Sequence, residues 1–301
     1  RSASISLTID HDFVNAMIVD GERSLFIEQE RIFDRSADQN SLIMYDAKDV
    51  MPDGTFSCGV TELHDHKDEY TEAIELRSGQ CKLLELAIAS DATMYTKFSN
   101  SVTNVQNHNI AVINNVAFNY RHEFVENIEI SIVTQYISTA YANDPLSPNM
   151  TSTNASDVLN GFSVWAYNGG FGIAHDVGQF WTNRDFDGST VGLAWVGTVG
   201  VNGYKYHILQ DFTDNATSLR VMTAHEMGHN FGASHDNSGD PYIMAPSVGS
   251  SNDWSPASKS AINSKIPTYK SLDNYTGPIS AYFVLQPGAI CGTGTVQYKD
   301  K

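Results

Sequence analysis

The chain has 301 residues, and at about 150 residues per domain it holds one large domain plus a smaller unit. Hydrophobic residues make up 41% and charged residues 18%, with 14 Tyr, 14 Phe and 4 Trp, which excludes wholesale disorder. Eighteen Lys and Arg against 35 Asp and Glu leave a formal charge of −17, which argues against nucleic acid or an anionic membrane surface as partner. No apolar run reaches the roughly 18 residues of a membrane span, and Arg1 opens a polar stretch without a signal-peptide head, so the expectation is a soluble chain with no membrane insertion and any export signal already removed.

In chain order, short apolar and β-branched runs at Ser4–Ile9, Phe13–Val19, Ser24–Ile27 and Ser41–Tyr45 predict a small, mainly β unit. Asp46 to Gln80 carries turn chemistry at Pro52-Asp53-Gly54 and a charged stretch, His64 to Glu69, and reads as an exposed connector; His64 and His66 read as solvated rather than metal-binding. Leu83–Ala89 reads as a buried strand, followed by a long helix through Asn119 with Val102, Val105, Ile110 and Ile113 on one face. A strand is predicted at Ile128–Gln135, a helix at Ser156–Ala166, a strand at Gly172–Asp176 and an edge strand at Thr190–Val199. Ser218–Phe231 is a helix stopped by Gly232. Alternating strands and helices place the larger unit in the α/β class. Beyond Pro278, Tyr282–Leu285 and Thr293–Tyr298 flank a Pro287-Gly288 turn and read as a hairpin too short for its own core.

The chemistry concentrates in His225-Glu226-Met227-Gly228-His229-Asn230-Phe231-Gly232-Ala233-Ser234-His235, a HExxHxxGxxH string followed by Asp236. Four residues apart on a helix, His225 and His229 stand one turn above each other and reach one ion. A sharp turn at Gly232 brings His235 back as third nitrogen ligand, leaving one tetrahedral position open, the pattern of a catalytic zinc site. Glu226 is poorly directed to the same ion but reaches a water at the open position as general base, so the predicted reaction is metal-assisted amide hydrolysis.

With these residues in view, the chain resembles the adamalysin or reprolysin branch of the metzincin zinc metalloendopeptidases, which includes snake-venom metalloproteinases and membrane sheddases. Asp236 directly after His235 is that branch's mark, Tyr242-Ile243-Met244-Ala245-Pro246 resembles its Met-turn, and Trp254-Ser255 with Ser258 resembles the segment after it. With Ala174–Gln179, Asp185–Gly197 and Leu84–Asp91, the resemblance covers about residues 82–272. It implies an α+β metzincin-type fold, a twisted mixed sheet with flanking helices and an active-site helix. It further implies Met244 beneath the metal, Gly192-Leu193-Ala194 pairing with an extended protein or peptide substrate, and a calcium site, Ca2+ held by Glu85, Asp176 and Asn274. Tyr242 stands where the branch often has Cys, so its disulfide scheme does not carry over.

The chain has three cysteines, Cys58, Cys81 and Cys291, enough for one bridge and one leftover thiol. Cys58-Gly59-Val60-Thr61 resembles the propeptide cysteine switch of the family, in which a thiolate takes the open zinc position; the usual Pro-Lys before it is replaced by Thr55-Phe56-Ser57. The alternatives are a Cys58–Cys81 disulfide and an inert thiol. The resulting expectation is a secreted zymogen: an intramolecular propeptide at 1–79, a catalytic domain at 80–274, and at 275–301 a linker with the start of a PKD-like β domain, or else a hairpin packed on the protease. Zn2+ would be the catalytic cofactor, and an activating protease would cut near Lys67 or Arg77. The rival reading is a binding module on a protease fold that has lost activity. Sequons at Asn149, Asn154, Asn215 and Asn274 decide nothing.

Overall fold

The computed structural model describes residues 3–21, 23–51, 55–60, 81–121, 123–141 and 151–275. The predicted hairpin beyond Pro278, Cys291, His64, His66, Lys67, Arg77 and the Asn149 sequon lie outside these.

The N-terminal unit is one antiparallel sheet of β1 (Ser4–Asp10), β2 (Phe13–Asp20), β3 (Arg23–Gln29) and β4 (Leu42–Asp46), in sequential order. Its inner side buries Met17 and Phe26. The chain then gives a two-residue strand, β5 (Ser57–Cys58), to the second sheet.

That second sheet is seven-stranded and is built around β6 (Cys81–Ser90). After β6 come α1 (Ala92–Lys97), α2 (Val102–Arg121), β7 (Ile128–Ile137), α3 (Ala155–Tyr167), β8 (Val177–Thr182), β9 (Thr190–Ala194) and β10 (Tyr206–Gln210). They are followed by α4 (Ala216–Asn230), α5 (Pro256–Lys265) and β11 (Asp273–Tyr275). β7 pairs with β6 on one side; on the other, β8 runs parallel to Leu86–Ser90 and β11 antiparallel to Cys81–Leu83. β10 is parallel to β8, β9 antiparallel to β10, and β5 parallel to β9. This is the mixed α/β sheet with flanking helices expected from the sequence.

The main apolar core lies between the sheet and α2, α4 and α5, from Leu84 and Trp181 to Met222, Phe231, Met244 and Ile262. A second core packs Val158, Leu159 and Phe162 of α3 against Phe180, Tyr206 and Ile208. Among the described residues no helix is long and apolar enough to cross a membrane.

Three predicted elements need correction. Gly172–Asp176 is not a strand: Gly172 has φ +66, and the strand starts at Val177, where pairing with β6 begins. The long helix is two, because Ser99 and Asn100 take φ of 60 and 57 between α1 and α2, and Asp91 caps α1 through the amides of Thr93 and Met94. The edge strand stops at Ala194, after which the chain turns to close the open end of α4, Gly197 and Thr198 donating to the carbonyls of His229 and Asn230 at 2.8 and 2.9 Å. Two sequon asparagines serve as helix caps, Asn154 for α3 and Asn215 for α4.

Candidate metal centre and cleft

The site grows from α4, every residue of which is buried. Helical spacing puts His225 and His229 on one side, and the helix ends where Gly232 takes φ +95, its amide bonded to the His229 carbonyl at 2.8 Å. An L-residue is strained in that conformation. The reversal brings His235 back: its Nε2 stands 3.1 Å from that of His225 and 3.2 Å from that of His229.

Backbone carbonyls orient the rings. His225 Nδ1 donates to the Ile243 carbonyl at 2.7 Å and His229 Nδ1 to the Ala233 carbonyl at 2.8 Å, which leaves both Nε2 lone pairs aimed at the shared centre. Burial, the largest cause, holds all three rings below the usual histidine range, His225 at about 3; neighbouring imidazoles add to it for His225 and His229, while Asp236 opposes it for His235, so the rings are neutral, the form that binds a metal.

A fourth donor stands beside these three: the Cys58 sulfur lies 3.5 Å from His229 Nε2. Among the described residues, Cys58, His225, His229 and His235 form the one group of three or more His, Cys, Asp and Glu side chains able to hold a metal. Zn–N bonds of roughly 2.0–2.1 Å and a Zn–S bond of roughly 2.3 Å require tetrahedral edges of about 3.3 Å between nitrogens and about 3.6 Å from nitrogen to sulfur. The observed spacings match these, and the converging lone pairs need a cation between them, so the residues fit zinc.

Glu226 sits beside this cluster, fully buried. Burial pushes its carboxyl up to about 8, with the Cys58 thiol pulling the other way, while burial and then Glu226 push the thiol well up. Side by side, a carboxylate on Glu226 disfavours a thiolate on Cys58, while the neutral thiol favours the carboxylate; a central cation stabilises both charges. Glu226 can lie against the sheet edge only because residue 192 is glycine: a Cβ there would stand 2.3 Å from Glu226 Oε1.

The Cys58 segment is held as a strand between two walls. Ser57 and Gly59 donate to the carbonyls of Ser189 and Gly192 at 2.8 and 2.9 Å on the β9 side. On the other, Cys58 donates to Pro246 and Val248 to Phe56, both at 3.0 Å. Phe56 packs on Phe212, ring centres 4.7 Å apart. Beside the sulfur is a mainly apolar pocket walled by Val221, Met222, Ile243, Ala245 and Val248. Cys58 is a free thiol and Cys81 is disulfide-bonded, so the Cys58–Cys81 bridge does not form.

Met244 is fully buried, its sulfur 2.8 Å from where a Cβ would stand on Gly228, which lies between the two helical histidines in sequence. Asp236 ties this turn to α5: its amide donates to the Met244 carbonyl at 2.9 Å, and its carboxylate accepts from the hydroxyl of Ser255, the α5 cap, at 2.6 Å.

A reprolysin model described as metallo-peptidase family M12 matches residues 80–270. The chain belongs to this family. It is 30% identical over 190 residues to a zinc metalloproteinase-disintegrin-like protein of Cerberus rynchops, covering 60% of this chain and 29% of that one. It is also 30% identical over 175 residues to the zinc metalloproteinase recombinant fibrinogenase II of Deinagkistrodon acutus, covering 56% of this chain and 71% of that one. The chain thus spans under a third of the first relative's length.

Sequence reasoning missed the wall Pro246–Val248, the orienting carbonyls of Ile243 and Ala233, and Phe56. The apolar Ile243, Ala245 and Val248 around the Met-turn were the available sign of a wall. His175 is held by a hydrogen bond between its Nδ1 and the Ile173 carbonyl at 3.0 Å.

Two of the three expected calcium ligands, Asp176 and Asn274, accept hydrogen bonds from protein donors. Asp176 accepts from the Glu85 amide at 2.8 Å and from the Ser271 hydroxyl, and Asn274 accepts from the Lys82 ammonium at 2.9 Å. The buried Lys205 ammonium, donating to the His175 carbonyl, supplies positive charge to Asp176 and Glu85. This arrangement fits a cluster satisfied by protein donors better than a calcium ion. A bound ion at 100 times its dissociation constant would add about 2.7 kcal/mol, so a melting curve in zinc-replete buffer is expected not to move when calcium replaces magnesium. A calcium-specific rise in the midpoint would restore the site.

Proposed function

We propose that this chain is the precursor of a secreted zinc-dependent endopeptidase, latent while Cys58 holds the fourth metal position. The observation that carries this reading is the sulfur 3.5 Å from His229 Nε2, completing a four-donor set around which Glu226 has no ligand role. His225, His229 and His235 would hold zinc. When bound, zinc supplies a Lewis acid that polarises the scissile carbonyl and acidifies water.

The remaining work falls to the chain. Glu226, lodged against Gly192, takes the proton of the attacking water and passes it to the leaving amine. The amide and carbonyl groups of Gly192, Leu193 and Ala194 line up an extended protein or peptide substrate once β5 leaves that edge. The apolar pocket behind Glu226 receives the side chain beside the scissile bond. In this reading residues 1–79 are the propeptide, 80–274 the catalytic domain and 275–301 a linker with the start of a further β domain, and an activating protease cuts within the connector. A pure binding module has no need of a carboxylate beside an open metal position.

The test is turnover of a quenched peptide mixture before and after verified removal of the propeptide, with and without chelator. Cleavage is expected only after removal, lost with chelator and recovered with zinc. No chelator-sensitive turnover after removal would leave the binding-module reading.

A further inference from the structure

Residues 4–46 hold the catalytic domain at a place distinct from the cleft. Their sheet lies on α2 and on the first turn of α4. Asn107, Asn114 and Asn115 of α2 donate to Asp10, Thr8 and Asn15 at 2.8, 2.7 and 3.0 Å, and Asn252 donates to Ser24. Met17 and Phe26 cluster with Ala216, the first residue of α4, and the Arg220 guanidinium sits over Phe26 at 6.0 Å. So polar an interface resembles those of parts that separate.

At its centre is one ionisable group. Glu28, 3% exposed, accepts from Asn15 at 3.3 Å, from the Tyr45 hydroxyl and from the amide of Ala216. Of the charged or titratable groups facing it, Tyr45 comes from its own sheet, Asp214 from the loop before α4 and Arg220 from α4 beyond the Phe26 ring; α2 offers the uncharged Asn115. Asp214 is itself paired with Lys97 of α1 at 2.9 Å.

We propose that residues 4–46 are a proton-gated clamp on the α2–α4 face, tight while Glu28 is protonated and loosened as it ionises, so that the grip of the Cys58 segment on the cleft weakens from acid to neutral pH. This rests on reading residues 1–79 as a propeptide. Burial is the main cause that raises the Glu28 carboxyl from 4.5 to about 7, opposed by its hydrogen bonds and assisted by Asp214. The docked form therefore binds the proton more tightly than the released form. Its contribution is complete below 4.5 and is lost as pH climbs through about 7, a change on the order of 10²-fold in affinity.

The test uses the full chain carrying Cys58→Ser, loaded with zinc and cut at a protease site introduced within residues 61–80. The dissociation constant of the released N-terminal fragment is measured from pH 5 to pH 8, with zinc content followed at each point. It is expected to rise on the order of 10²-fold. Glu28→Gln should bind tightly with a flat profile, and Asp214→Asn, on an exposed side chain, should move the rise to lower pH. A flat profile in the parent, an unchanged slope in Glu28→Gln, or, if that variant does not fold, an unmoved midpoint in Asp214→Asn overturns the clamp. Because the sulfur is absent and binding is the readout, failure of the clamp is separate from failure of the latency reading, which peptidase assays of the Cys58 chain decide.

Discussion

Glu226→Gln is expected to lower kcat of the activated enzyme by about 10²–10⁴-fold, the usual contribution of a positioned general base, while zinc content and KM change little. The amide keeps the volume that fills the space against Gly192, where even a Cβ would collide at 2.3 Å. Glu226 lies outside the four-donor set, so metal retention should be unaffected. Single-turnover rates with elemental analysis of the same sample check this. A variant that keeps zinc and full kcat would move the base elsewhere; one that loses zinc would make Glu226 a ligand or a support of one. Gly192→Ala reaches the same group from the opposite side and should depress kcat by displacing the carboxylate.

Cys58→Ser is the second large effect. The uncut parent should show almost no turnover, because sulfur and strand together occupy the cleft. A hydroxyl is a far weaker zinc ligand than a thiolate at neutral pH, so the uncut variant should hydrolyse small quenched peptides with chelator-sensitive kinetics. Its rate should stay below that of the fully processed enzyme, since the four backbone hydrogen bonds of Phe56–Gly59 to Ser189, Gly192, Pro246 and Val248 survive the substitution. If the uncut variant is as silent as the parent, the strand rather than the sulfur imposes latency.

The metal site was legible because its chemistry is contiguous. Two histidines four apart, a glutamate after the first and a glycine before the third encode a helix, a base and a turn, and the structure brings these side chains to one centre. The buried strand at β6 and the helix α4 were equally plain, since a mainly apolar run and helical spacing leave marks in residue type. What stayed hidden works through groups with no such mark. The carbonyls of Ile243 and Ala233 that fix the imidazole tautomers belong to the backbone every residue shares. The face of α2 that receives the N-terminal sheet is built from Asn107, Asn114 and Asn115, which in sequence look like solvent-facing positions. The strand misplaced at Gly172–Asp176 shows the same limit: Ile173 alone has a strand-forming side chain there, Gly172 bends the chain, and pairing decides where β8 begins.

An amphipathic helix can rock on its greasy stripe, but α4 has no wet side on which to give way. Tyr120 grips its middle through the Ala224 carbonyl at 2.8 Å, and Tyr120 and Phe231 rings meet at 5.7 Å near its end. The two histidines it carries thus inherit the stiffness of the whole interior, and their spacing is set less by local loops than by how well every surrounding layer fits. Such a mounting makes the ligand geometry tolerant of change at the surface and intolerant of small misfits deep inside, even at positions that never approach the ion.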